Sequence, residues 1–98
     1  MATKLENNQF KAYGRIIQIE DELEITDSYK IREMVVNVMG YSGQSETLKF
    51  TANHPIMIDR VNKFKVGDDV NLTYTIKGYE HKDKGIYYNS LVITSINK

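Results

Sequence analysis

The sequence contains no cysteine among its 98 residues. This absence excludes a disulfide framework and every metal site built on thiolates. It also fits a protein of the reducing cytosol, where disulfides are rare.

Long apolar runs are missing as well. Residues 1–10 have no apolar centre of the kind that a signal peptide needs. No stretch approaches the roughly 20 apolar residues of a membrane-spanning helix. We therefore expect no membrane partner.

The residue patterns of common catalytic sites are also absent. There is no nucleophile motif, no glycine-rich phosphate loop and no paired-carboxylate arrangement of the kind that acid–base catalysis uses. The two histidines, His54 and His81, stand far apart without ligand-spaced partners, so we expect no metal site. The sequence therefore predicts a protein that is not an enzyme, with no catalytic residue, no cofactor and no small-molecule substrate.

Neither sign of charge is in excess, because 13 Lys and Arg balance 13 Asp and Glu. A strongly basic chain would have indicated nucleic acid. The charges are unevenly placed, however: acidic residues outnumber basic ones in residues 1–48, where four of them cluster in 20–24, and the reverse holds in 49–98. Binding responds to the local potential, so zero net charge is compatible with a basic face.

The length predicts one domain with one modest core. Residues 1–9 are polar and lack periodicity, which predicts a flexible N-terminal tail before a domain at 10–98. Alternation of apolar and polar residues then predicts strands at 10–19, 29–41, 46–52, 70–77 and 86–96.

Several details of these strands follow from single residues. Gly14 predicts a bulge or sharp bend in the first strand. Tyr74 and Ile76 share the phase of Leu72, so all three are predicted to face the core. Segments 20–28, 40–45 and 78–85 are predicted to be turns or loops from their acidic, glycine and serine content.

A short helix is predicted between the third and fourth strands. Asn53 can cap it, Pro55 suits its first turn, and Val61 and Phe64 continue an apolar stripe. An all-β chain with one helix in this place favours the OB-fold, a five-stranded Greek-key barrel. An SH3-like barrel is the alternative, and the helix favours the OB-fold.

Four segments carry a wider pattern: 14–19, 32–36, 64–70 and 85–91. Together they resemble a small family of single-domain OB-fold proteins of unknown function, itself similar to bacterial and phage single-stranded-DNA-binding proteins. The resemblance spans residues 13–96 and implies a single-strand binder in the bacterial cytoplasm, or one encoded by a phage. That family often has tryptophans in its last strand, where this chain has Tyr87 and Thr94.

Binding a single strand requires cations for the phosphates and aromatic faces for the bases. An OB-fold presents them on strands two and three and on the loops after strands one and four. The residues that meet these conditions are Arg15, Tyr29, Arg32, Lys49, Tyr79, Lys82, Lys84, Tyr87 and Tyr88.

Parity separates the two adjacent tyrosines. Tyr88 has the opposite parity to Leu91 and Ile93, so it is predicted to face outward and to stack on bases. Tyr87 shares the core parity and is predicted to be partly buried at the barrel mouth. The alternative interpretation of this region is a solvated loop whose charges only prevent edge pairing.

The sequence thus predicts a protein that binds single-stranded DNA, or RNA, with little sequence preference. It would act in replication or recombination, and we expect a homo-oligomer. The alternative is a protein–protein interaction module without nucleic-acid binding, which zero net charge and the outward positions of Val35 and Met39 favour.

Overall fold

The computed structural model describes residues 8–40 and 43–98. Most of the predicted tail, residues 1–7, lies outside the described residues. So do Tyr41 and Ser42 of the turn predicted at 40–45. The division into a tail and a domain therefore remains a prediction.

The described chain forms strands and one helix in the following order: β1 (Phe10–Ile19), β2 (Leu23–Thr26), β3 (Tyr29–Met39), β4 (Ser45–Ala52), α1 (Pro55–Val61), β5 (Asp69–His81) and β6 (Ile86–Asn97). In residues 8–40 and 43–98, no helix has the length and apolar character needed to cross a membrane.

Five of the strands close into a barrel. They follow the order β1-β5-β6-β4-β3, and β1 pairs again with β3 to complete the circle. The pairs are antiparallel except that of β4 with β6, which is parallel through Phe50–Leu91 and Thr51–Val92. Because the sheet closes on itself, few backbone edges of these strands are left without a hydrogen-bonded neighbour. With α1 between its third and fourth strands, the barrel confirms the predicted OB-fold.

The inward-facing residues of the barrel strands form the core, as side-chain alternation predicts. Phe50 and Met34 are completely buried, and α1 contributes the buried residues Ile58 and Val61. Tyr74 packs against this core with its ring centroid 5.1 Å from that of Phe50, in an edge-to-face contact. Its predicted inward position is confirmed. Because Phe50 is fully buried, its replacement by alanine is expected to lower the free energy of unfolding by about 3–5 kcal/mol.

β1 turns at Gly14, where it exchanges one neighbour for another. Its first half pairs with β5 and its second half with β3. A Cβ atom at Gly14 would lie 2.8 Å from the Cα of Val38 and would overlap the carbonyl oxygen of Asn37. This close approach therefore requires glycine. The bulge itself lies between Ile16 and Gln18, just after the position that the sequence predicts.

Two segments predicted as turns contain strand. The acidic segment 20–28 includes β2, which pairs with the start of β3 through Leu23 and Ile31. Leu23 and Ile25 alternate with polar residues, but over only four positions, the shortest run that predicts a strand, and the acidic residues around them favour a turn. In the closing hairpin, β5 continues to His81, so residues 78–81 are strand instead of loop. Pairing with β6 outweighs the turn preference of Gly78, as tertiary context often does.

The long hairpin projects beyond the barrel. β5 pairs with β1 only as far as Tyr74, and Ile76, which was predicted to be buried, is 40% exposed. A second correction concerns the cap of α1. His54, not Asn53, is the N-cap, and its Nδ1 accepts the backbone N–H of Ile56 at 3.2 Å.

Candidate nucleic-acid interface

An open groove of about 360 Å³ lies between the β2–β3 arm and the start of the closing hairpin. We call it the hairpin groove. Five strands and the turn before α1 supply its lining: Ile25, Tyr29, Ile31, Glu33, Thr51, Asn53, Lys77, Ser90 and Val92. Tyr29, one of the predicted site residues, is 41% exposed here. One wall of the groove is formed by β2, which lies in the segment predicted to be a turn.

The register of the hairpin decides which of its side chains face the groove. Thr51, on the outer face of β4, lies beside Val92 of β6. Tyr88 precedes Val92 by four residues and so shares this face, since side chains alternate along a strand. Its cross-strand partner Tyr79 does too, as does Lys77, two residues before Tyr79. The predicted outward orientation of Tyr88 is therefore confirmed.

Tyr79 and Tyr88 form an aromatic pair beyond the groove. Their ring centroids are 6.1 Å apart, and their planes differ by 27°. The two residues are nevertheless 64% and 47% exposed. A cross-strand contact of this kind restrains both rings. Enough ring surface is left open for a planar group to stack on it.

The other hairpin candidates lie away from this face. Tyr87 is on the opposite face, across from Glu80, and is 72% exposed. The partial burial predicted for it is wrong, because the hairpin at this point has left the barrel. Lys82 and Lys84 are exposed on the turn between β5 and β6. Within residues 8–40 and 43–98, neither lysine makes an ion pair.

Lys49 lies next to the groove, but two carboxylates compensate its charge. Its Nζ is 3.5 Å from Oε2 of Glu20 and 3.9 Å from Oε1 of Glu33. Glu33 is further fixed by the hydroxyl of Thr51, which donates to its Oε2 at 3.1 Å. A phosphate that contacts Lys49 must compete with both carboxylates.

Arg15 is on the outer face of β1, outside the lining of the groove. Its Nε donates to Oδ1 of Asp69 at 2.9 Å. This hydrogen bond lowers the pKa of the Asp69 carboxyl below its ordinary value and raises the pKa of Arg15. Both groups are solvated, so the pair contributes little to stability.

Arg32 has the inward parity of β3 and lies opposite Ala52 of β4. It is half-buried. In the part of the chain that the structure describes, its buried Nε has no hydrogen-bond partner. The predicted residues are thus divided: Tyr29 lies in the hairpin groove, and Tyr79 and Tyr88 share its face. Lys49 adjoins it, and the remaining five lie elsewhere.

Sequence reasoning missed Lys77, which lines the groove opposite Ser90. A signal was present, because Lys77 has the same parity as Tyr79. It also missed Glu33 as part of the groove. No local signal identifies that residue, since its role depends on how β3 pairs with β4.

The barrel defines an OB-fold protein with an open groove on its outer face. The chain belongs to the family described as a domain of unknown function (DUF3127), whose model matches residues 11–97. It matches no curated protein.

Solved structures with a similar fold include the SSB domain of a protein from Synechococcus sp., with a TM-score of 0.70 and 14% identity over 100% of both chains. The N-terminal domain of PriB from Thermoanaerobacter tencongensis, described as dimeric, has a TM-score of 0.67 and 17% identity over 94% of this chain and 96% of that one. The mitochondrial single-stranded DNA binding protein Rim1 of S. cerevisiae has a TM-score of 0.67 and 21% identity over 91% of each chain.

At these identities the similarity shows the fold. It also confirms the resemblance to single-stranded-DNA-binding proteins that the sequence indicated.

Proposed function

We propose that this protein binds single-stranded DNA without catalysing a reaction, and that it acts in replication or recombination in the cytoplasm. The observation that carries the proposal is the exposed Tyr79–Tyr88 pair on the groove face of the hairpin. Each stacked base contributes about 1–3 kcal/mol on such a platform. Stacking accepts every base, so sequence preference is small.

The phosphates follow the lysines of the hairpin. Lys77 lines the groove, and Lys82 and Lys84 extend the cationic character to the tip. In the described chain none of these three is held by a carboxylate. Lys49 can contact a phosphate only if it gives up an ion pair with a carboxylate. Arg15 can do so only if its ion pair with Asp69 breaks. The proposed path therefore runs from Tyr29 along the hairpin.

Fluorescence anisotropy with a labelled mixed-sequence single strand tests the proposal. We expect binding at micromolar protein in about 50 mM salt, with log K falling by about 0.7 per phosphate contact for each tenfold rise in salt. The same sequence as a duplex and as RNA separates single-strand binding from general polyanion binding and DNA from RNA. Absence of binding to the DNA strand at this salt would contradict the proposal.

A second candidate function is protein interaction, including assembly into a homo-oligomer. It is supported by an apolar patch outside the groove, where Met39 is 70% and Tyr13 is 51% exposed. Gly14↔Val38 is the last pair of the β1–β3 register, and Tyr13 and Met39 are the next residues of the two strands, both on the outer face of the sheet. Exposed apolar residues that adjoin one another are typical of interaction surfaces.

Light scattering after size exclusion tests this second function. We expect the wild type to be larger than a monomer and Met39→Lys to shift it toward the monomer. Ile56→Lys, the same kind of change at an exposed apolar position of α1 outside the patch, is the control for altered surface charge. A monomeric wild type would contradict a homo-oligomer. The two functions are compatible, because the patch and the hairpin groove are lined by different residues.

A further inference from the structure

The hairpin groove contains a carboxylate where a nucleic-acid site would be expected to present cations. Glu33 lines the groove, and its side chain is 22% exposed. A carboxylate repels phosphate, so the backbone of a bound strand avoids this position. The part of a bound nucleotide that contacts Glu33 is then the edge of a base, because the base edge carries hydrogen-bond donors.

The position of the carboxylate is fixed, but its acceptor capacity is only partly used. The Thr51 hydroxyl donates to Oε2 at 3.1 Å. Lys49 is 3.9 Å from Oε1, beyond ordinary hydrogen-bond length. An ionised carboxylate has about four lone-pair sites and donates nothing. Glu33 therefore presents unfilled acceptors, and only acceptors, to the groove.

Bases differ in what they offer such a group. The exocyclic amino group of cytosine donates to a carboxylate, whereas thymine has a carbonyl oxygen in the corresponding place. That oxygen would face the carboxylate acceptor to acceptor, and the one donor on this edge of thymine, its N3–H, lies between two carbonyl oxygens that the carboxylate repels. We propose that Glu33 makes the groove prefer bases with an exocyclic amino group over thymine. The inference rests on the proposed function, to which it adds a base preference superimposed on sequence-tolerant stacking.

The test compares oligo-dC with oligo-dT of equal length, two pyrimidine strands, by competition against a labelled mixed-sequence strand. Mildly alkaline pH keeps cytosine unprotonated. We expect oligo-dC to bind about tenfold to 150-fold more tightly, as one hydrogen bond to a charged group allows. Glu33→Gln keeps the side-chain volume and an acceptor for Thr51, and it should bring the ratio close to one. Glu46→Gln, an exposed residue outside the groove lining, removes the same charge and should leave the ratio unchanged.

Each result decides the question. A wild-type protein that binds oligo-dT as tightly as oligo-dC overturns the inference and leaves single-strand binding intact. A preference that survives Glu33→Gln, or that disappears equally in Glu46→Gln, overturns the assignment to Glu33. If neither the pyrimidine strands nor the mixed-sequence strand binds, the proposed function fails and the inference with it.

Discussion

Tyr79 and Tyr88 lie directly opposite each other on β5 and β6, with their ring centroids 6.1 Å apart. The neighbouring Tyr87 points to the other face of the same hairpin and is the most exposed of the three. The protein thus contains two adjacent tyrosines of equal size, of which only one shares a face with the groove. This arrangement supplies its own control for a stacking role.

We expect Tyr88→Ala to weaken single-strand binding about fivefold to 100-fold, since it removes one stacking surface. Tyr87→Ala should have a smaller effect, because its ring is on the face away from the groove. Tyr74→Phe, a core change, should leave affinity unchanged. Anisotropy titrations of the three variants measure these differences, and a larger loss for Tyr87→Ala than for Tyr88→Ala would contradict the stacking assignment.

Glu20 restrains Lys49, and releasing this lysine should strengthen binding. Glu20→Gln removes the nearer of the two carboxylates, 3.5 Å from Nζ. We expect tighter binding and a salt dependence steeper by about 0.7, the value for one added phosphate contact on a single strand. The slope of log K against log salt gives the result.

Glu24→Gln is the matched control for this experiment. Glu24 belongs to the same acidic run, and among the described residues it makes no ion pair. If both variants steepen the slope equally, Glu20 acts through general charge and the specific restraint on Lys49 is absent.

The barrel could be predicted from the sequence because alternation is a local property. In β3 and β4 the buried residues Met34, Val36, Phe50 and Ala52 occupy every second position. The helix interrupts that pattern at Pro55, between the third and fourth predicted strands, and these two facts favour the OB-fold over an SH3-like barrel. Neither fact depends on which strands meet in space.

The site depends on features that alternation does not reveal. β6 has one residue more than β5 between the Thr73–Ser95 and Tyr74–Ile93 pairs. This bulge sets the register that places Tyr79 opposite Tyr88. The carboxylates around Lys49 come from β3 and from the segment after β1, so their proximity exists only after folding. Glu33 is for this reason absent from the residues that the sequence predicts.

The Arg15–Asp69 pair predicts a pH dependence of stability. The hydrogen bond from Arg15 lowers the folded-state pKa of Asp69 below its ordinary value of 3.8. The stabilisation is therefore present above the unfolded-state pKa and is lost as the pH falls through the folded-state value. We expect Asp69→Asn to lower the urea midpoint slightly at neutral pH and to differ less from wild type in acid.

High salt should also reduce the difference between wild type and Asp69→Asn, because the pair is exposed and screened. Asp83→Asn, on the exposed turn of the hairpin, is the control. Urea titrations at neutral and acidic pH provide the comparison. A difference that grows as the pH falls would contradict the assignment of the effect to this ion pair.

Gly14 and Gly78 provide a test of how the barrel closes. A Cβ atom at Gly14 would overlap the backbone of Asn37 and Val38, and backbone cannot move aside as a side-chain end can. At Gly78 the nearest atom to a new Cβ is Oδ1 of Asn89, at 3.9 Å, an ordinary contact. A glycine-to-alanine substitution is therefore crowded by backbone at Gly14 and has free space at Gly78, within the same sheet.

We expect Gly14→Ala to destabilise the fold by about 1–3 kcal/mol or more, the usual cost of overpacking. Gly78→Ala should be neutral or stabilising by about 0.4–1 kcal/mol, because alanine restricts the unfolded chain and fits an extended backbone without strain. Urea titrations followed by circular dichroism measure both. Equal stability of the two variants would mean that β1 and β3 do not approach each other closely at Gly14, so that the barrel does not close through this contact.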